Sequence, residues 1–254
     1  MNRPPMPAAP RDARALAVET IHAVIRKRQA LDALLDRLAG DVEYAALSPS
    51  DRGLVRAIAT AALRGLGLIR AALAARMTGG MPADAGPFEP AMIAGVAQLL
   101  FLNVPDHAAV HATVEALKAD RHARRYAPLA NAVLRAVARD KAAILDRADP
   151  LADNTPDWLA ARWMRAYGEE TARAIARSHL AEPPLDLTVK ADAALWAERL
   201  GGVVLPTGSV RLDRAGPVPA LAGFAEGEWW VQDAAAALPA AILAPQPGER
   251  VLDL

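Results

Sequence analysis

The chain has no cysteine among its 254 residues. That excludes disulfides, a thiol nucleophile and thiolate metal sites within it. Aromatic residues are scarce at 4%, so aliphatic side chains, alanine foremost, must fill the core. Alanine has the best intrinsic helix propensity, which points to packed helices. No uninterrupted apolar run reaches the length of a membrane span; the longest candidates carry Arg or Gln inside them. Met1 to Pro10 is proline-rich and lacks the apolar stretch of a signal peptide, so a soluble cytoplasmic protein is expected. Net charge is also missing, with 29 basic against 29 acidic residues.

The charge is unevenly spread. Residues 1–150 hold 20 Lys+Arg against 15 Asp+Glu, and residues 151–254 hold 9 against 14. A basic front half suits an anionic partner such as RNA. Arginine is common throughout, which lowers the weight any single one carries.

Residues 1–150 show helical periodicity almost throughout, predicting roughly six or seven helices joined by short connections. Asp12 to Arg28 is the first. Leu31, Leu34, Leu35 and Leu38 mark the second, which Gly40 ends. Ser48-Pro49-Ser50-Asp51 is a capped helix start. The stripe from Leu54 to Leu73 follows, with Gly65 and Gly67 marking a bend or a close helix contact. Gly79 to Pro87 is a loop. The very apolar stretch Met92 to Leu102 is the expected centre of the bundle. Helices from His107 to Ala119 and from Pro128 to Leu145 complete it.

Beyond Pro150 the pattern changes. Asn154-Thr155-Pro156-Asp157 predicts a capped helix start, with a second helix over Glu169 to Leu180. Leu185, Leu187 and Val189 alternate with polar residues as a half-buried strand does. Trp196 and Leu200 fit a short helix, and 203–205 and 210–212 are short strands. Trp229-Trp230-Val231 reads as a strand, Asp233 as the cap of a helix over 234–243, and Arg250 to Leu254 as the start of a buried strand.

These segments carry a resemblance. Asp51-Arg52-Gly53-Leu54-Val55 leading to Leu63-Arg64, then Pro105 with His107-Ala108-Ala109-Val110 and Val114-Glu115, then Asn131-Ala132-Val133-Leu134-Arg135, resemble the NusB-like RNA-binding fold. Trp158-Leu159, Tyr167-Gly168, Pro183-Pro184, Val231-Gln232-Asp233-Ala234-Ala235 and Pro247-Gly248-Glu249-Arg250-Val251-Leu252-Asp253-Leu254 resemble the Sun/Fmu (RsmB-type) 16S ribosomal-RNA cytosine-C5 methyltransferases. The likeness runs in order from about Arg11 to the last residue.

The resemblance implies a mostly α chain: a NusB-like helical domain at 1–150, a small α/β, RRM-like linking segment at 151–220, and the truncated start of a Rossmann-like methyltransferase domain at 221–254. It implies 16S ribosomal RNA as partner and S-adenosylmethionine as cofactor. In that family the strand matching Val251 to Leu254 runs into a glycine-rich cofactor turn, and two catalytic cysteines lie beyond. The chain is therefore expected to lack catalytic residues and to be inactive alone. Asp253 is the one residue beside the expected cofactor turn. One departure stands out: the family's Leu-Arg-Val-Asn is here Leu187-Thr188-Val189-Lys190.

Candidate RNA contacts are Arg11 and Arg14, at a helix start where cations oppose the dipole, and the basic cluster Arg121, Arg124 and Arg125. The bland alternative for each is a solvated arginine. Arg64 and Arg135 fit ion pairing or carbonyl capping better. His107 and His111 have zinc-compatible spacing but no third ligand, so no metal is expected. Of Trp229 and Trp230, one should point into the core. Rival functions are a stand-alone NusB-like RNA-binding or antitermination module, against which residues 151–254 argue, and a scaffold with no RNA role.

Overall fold

The computed structural model describes residues 12–213 and 215–252. The chain divides into two compact units between residues 180 and 181.

The first unit is helical: α1 (Ala13–Lys27), α2 (Leu31–Ala39), α3 (Val42–Ala46), α4 (Pro49–Arg64), α5 (Leu66–Ala74), α6 (Phe88–Phe101), α7 (Asp106–Ala119), α8 (Ala127–Arg139), α9 (Lys141–Arg147), α10 (Pro150–Asp153), α11 (Asp157–Tyr167) and α12 (Glu169–Ser178). Local chemistry sets many of the boundaries. The Asp12 carboxylate accepts the Ala15 N–H at 2.8 Å and starts α1. Ser48 caps α4, with Pro49 in the first turn, where its missing N–H costs nothing. Gly40 does close α2, but in the right-handed region at φ −91°, so it is not the left-handed glycine cap.

Helix α6 is the hub, with twelve of its fourteen residues buried. It packs against α1, α4, α7 and α8. Gly95 lets α7 and α8 approach, because a Cβ there would lie 2.8 Å from Thr113 Oγ1 and 3.1 Å from a Leu134 methyl. The core around it is built of alanine, leucine, isoleucine and valine, with Phe88 its largest fully buried side chain.

The expected bend at Gly65 and Gly67 is a corner of 73° between α4 and α5. Asn154 occupies it. Its Oδ1 accepts the Gly67 N–H at 2.8 Å and its Nδ2 donates to the Arg64 carbonyl at 2.6 Å. The side chain expected to cap α11 therefore serves another corner, and α11 begins after Pro156 with no side-chain cap. The single helix expected over 128–145 is two, broken at Asp140, and α3 lies in a stretch without a clear apolar period. No single described helix is long and apolar enough to cross a membrane.

The second unit is a small sheet with helices: β1 (Leu185–Val189), α13 (Ala193–Leu200), β2 (Val203–Val204), β3 (Val210–Leu212), β4 (Trp229–Val231) and α14 (Ala234–Leu243). The strand order is β2-β3-β1-β4, with every pairing antiparallel. This is a split βαββ–β arrangement in which a 3₁₀ turn, Val218–Ala220, stands where a second crossover helix would be. Leu187, Val210, Leu212 and Trp229 form one face of the core with Trp196 of α13.

Asp186 is the surprise of this sheet. Alternation places it opposite the leucines, yet it is 4% exposed. Arg211, its register partner on β3, donates to both carboxylate oxygens at 2.7 and 2.8 Å. The same carboxylate accepts the Ala234 N–H at the start of α14 at 3.0 Å. The expected strand at 250–254 does not form over its described residues. Residues 250–252 are irregular, with Val251 and Leu252 exposed and no strand beside them to pair with.

Candidate RNA-docking surface

The basic cluster lies on the connection between α7 and α8. Asp120 turns its carboxylate inward, and Oδ1 accepts the backbone N–H groups of His122 and Ala123 at 2.8 and 2.9 Å. Ala123 is fully buried, and the Tyr126 ring rests on Phe88 with centroids 5.5 Å apart. Three anchors thus fix the loop, with Asp120 Oδ1 bonded to its backbone.

The arginines are left outside. Arg121, Arg124 and Arg125 are all exposed. Arg121 donates from Nε to His122 Nε2 at 2.7 Å. The Arg125 guanidinium lies 4.7 Å from the Tyr126 ring centroid, a cation–π contact that orders it without neutralising it. Arg124 makes no side-chain hydrogen bond or ion pair among the described residues. A fixed loop presenting three positive charges holds phosphate oxygens at little ordering cost.

Arg14 is placed differently. It is half-buried, and its Nε donates at 2.9 Å to Oε1 of Gln98, itself 1% exposed in the centre of α6. Arg14 therefore satisfies a buried amide, with only part of its guanidinium free for a partner. The structure ties it to α6 and not to the α7–α8 loop. Arg11 and Asp253 lie outside the described residues.

The remaining candidates fall into structural roles. Arg135 donates to Asn131 Oδ1 within α8 at 3.1 Å. The Arg64 carbonyl is the one bonded by Asn154. His107 and His111 line an open groove of about 590 Å³ between α7 and α8. Among the described residues no three His, Asp or Glu side chains gather as a metal site would need. Trp229 is 2% exposed and donates from Nε1 to the Ala222 carbonyl, whereas Trp230 is 47% exposed. Thr188, at the family's Arg position, bonds Gln232 at 2.8 Å.

Sequence reasoning missed Asp120, Tyr126 and the Asp186–Arg211 pair. Asp120 two and three residues before the N–H groups it bonds is a turn-capping spacing that was readable. The Asp186–Arg211 pair depends on strand register, which one strand alone does not reveal.

Gly248 lies in an exposed turn, where a Cβ would meet nothing within 4 Å.

Comparison with known proteins places these features. The NusB family profile matches residues 11–139. The ribosomal RNA small subunit methyltransferase B of Xanthomonas campestris is 37% identical over 216 residues, covering 81% of this chain and 48% of that protein. The protein of the same name from Klebsiella pneumoniae is 32% identical over 253 residues, covering 95% and 57%. The chain spans about half the length of the curated relatives it matches. Among solved structures, the crystal structure of PH0851 superposes with a TM-score of 0.58 at 17% identity, over 96% of this chain and 57% of that one. That likeness concerns the fold.

Proposed function

Because the chain belongs to the NusB family, and to the Sun/Fmu (RsmB-type) group whose likeness continues past the NusB segment, we propose that it is the RNA-docking part of a 16S ribosomal-RNA cytosine-C5 methyltransferase. The observation that carries this reading is the loop from Asp120 to Tyr126, where a partly buried scaffold holds three exposed arginines, none of them in an ion pair among the described residues. Arg121, Arg124 and Arg125 are its phosphate contacts, with Arg14 and Arg11 as lesser ones.

We assign residues 1–150 to RNA docking, 151–220 to the linking α/β segment and 221–254 to the start of the methyltransferase domain, with Trp229–Val231 lending its strand to the linking sheet. By lineage the reaction takes its methyl group from S-adenosylmethionine in the cytoplasm. In this reading the residues of this chain position the RNA, and the methyl transfer belongs to the methyltransferase domain. A stand-alone NusB-like module has no need of the four-stranded sheet, which supports the methyltransferase reading over it.

The test is binding to a 16S ribosomal-RNA transcript over a salt series. Binding that weakens as salt rises, and an Arg124→Ala/Arg125→Ala variant whose log–log salt slope falls by roughly 0.7–0.9 per lost contact, are expected. Calorimetry with S-adenosylmethionine should show no tight binding. Salt-independent binding, or none at low salt, would overturn the reading.

A further inference from the structure

Helix α11 packs its Ala160 and Trp163 side against Leu151 of α10 and Ala172 and Ala176 of α12. Its outer side bears Trp158, which is 68% exposed. A ring of that size gives up most of its burial energy when it stands in water, so its position needs a reason. Arg162 and Arg165 follow at i+4 and i+7, and the helical period places them with Ala161 on the Trp158 stripe. All four residues are exposed.

The stripe carries no carboxylate. Neither arginine makes a hydrogen bond or ion pair among the described residues. The carboxylates of Asp149 and Glu169 are both engaged by Arg173. A flat aromatic face thus stands beside two uncompensated cations on a helix braced by its neighbours.

We propose that this stripe is a second RNA contact, in which one unpaired base stacks on Trp158 while Arg162 and Arg165 hold the phosphates beside it. The proposal rests on the RNA-docking reading above. Stacking suits any base, because every base offers a π-face, and arginine adds charge attraction to the strand. A protein partner would call for apolar neighbours around the tryptophan. The other exposed large side chains of α11, Met164 and Tyr167, lie around the helix from it, at i+6 and i+9.

The experiment titrates the whole chain against a labelled mixed-sequence single-stranded RNA of about 12 nucleotides, within the reach of one such module. Trp158→Ala is expected to weaken binding at least about fivefold, and Trp158→Phe to restore part of it. Arg162→Ala/Arg165→Ala should lower the salt slope by about 0.7 per arginine. Thermal melting checks folding, and because these side chains are exposed the midpoint should hold. If the α11 variants bind as the parent does while Arg124→Ala/Arg125→Ala weakens binding, the stripe serves another partner and this inference fails alone. If the parent chain binds no RNA, the docking reading fails with it.

Discussion

Gly67 shows how far one hydrogen atom can decide a fold. A Cβ at this position would run into the Asp153 carbonyl oxygen and the Asn154 Cα, which are backbone atoms with no rotamer to yield. Gly67→Ala must therefore push the 153–154 segment off the α4–α5 corner and strip its N–H of the Asn154 acceptor. The expected loss is about 1–3 kcal/mol, measured as a drop in the urea midpoint of the helical signal. A change within about 0.5 kcal/mol, the usual scale for surface positions, would show that the corner yields to the added methyl group. Gly53, where a Cβ meets nothing within 4 Å, is the control position.

At the scale of elements, the sheet hangs on Asp186. Two hydrogen bonds from Arg211 hold its carboxyl below the usual carboxylate range; burial opposes this, and the Ala234 N–H and the Arg211 charge reinforce it. A carboxyl depressed in the folded state stabilises it fully above the unfolded value of about 3.9, and that stability is lost as pH falls through the lower folded value. The second unit should therefore weaken steeply below about pH 4, followed by the fluorescence of Trp196 and Trp229. Asp186→Asn should be less stable at neutral pH by about 1–3 kcal/mol, with a shallower acid slope. Arg211 keeps about a third of its side chain in water, which softens the penalty of leaving it unmatched. Identical acid slopes in parent and variant would show that the pair does not control the sheet. Asp140 and Asp149 are held low in the first unit by Arg76 and Arg173, so the comparison with Asp186→Asn is needed to isolate the sheet.

Much of this element order was legible in the residues. Ser48-Pro49 and Asp233 announced their helices because capping is local chemistry, complete within four residues. The break at Asp140 was not legible, because the apolar period runs through it while Arg76, 64 positions earlier, bonds its carboxylate. Asn154 looked like a cap for the same reason: its true partners lie 86 to 90 positions away. The described part of the expected strand, residues 250–252, is irregular because a strand needs a neighbour, and none of the described strands lies beside it. The basic loop was visible as letters. That the Asp120 carboxylate bonds the loop's own backbone was visible only in the fold.

For the whole molecule, two compact units imply two separate stabilities. The helical unit buries a large aliphatic core around α6, whereas the core cluster of the sheet unit has six buried residues among those described. Burial scales with the stabilisation available, so the sheet unit should unfold first. In a urea titration the Trp196 and Trp229 signal should fall before the helical circular dichroism. One coincident transition would show that the two units fold as one.

The Asn154 corner also has a consequence in time. A chain leaving the ribosome exposes Gly67 long before Asn154, and at about 5–20 residues per second the interval is roughly 4–17 s. Through those seconds the Gly67 N–H and the Arg64 carbonyl lack Asn154, and bond either water or, where α4 and α5 run on as one straight helix, their own helical neighbours. The helical bundle thus receives its last fastening from residues made after its hub, so its final shape is a late event of synthesis.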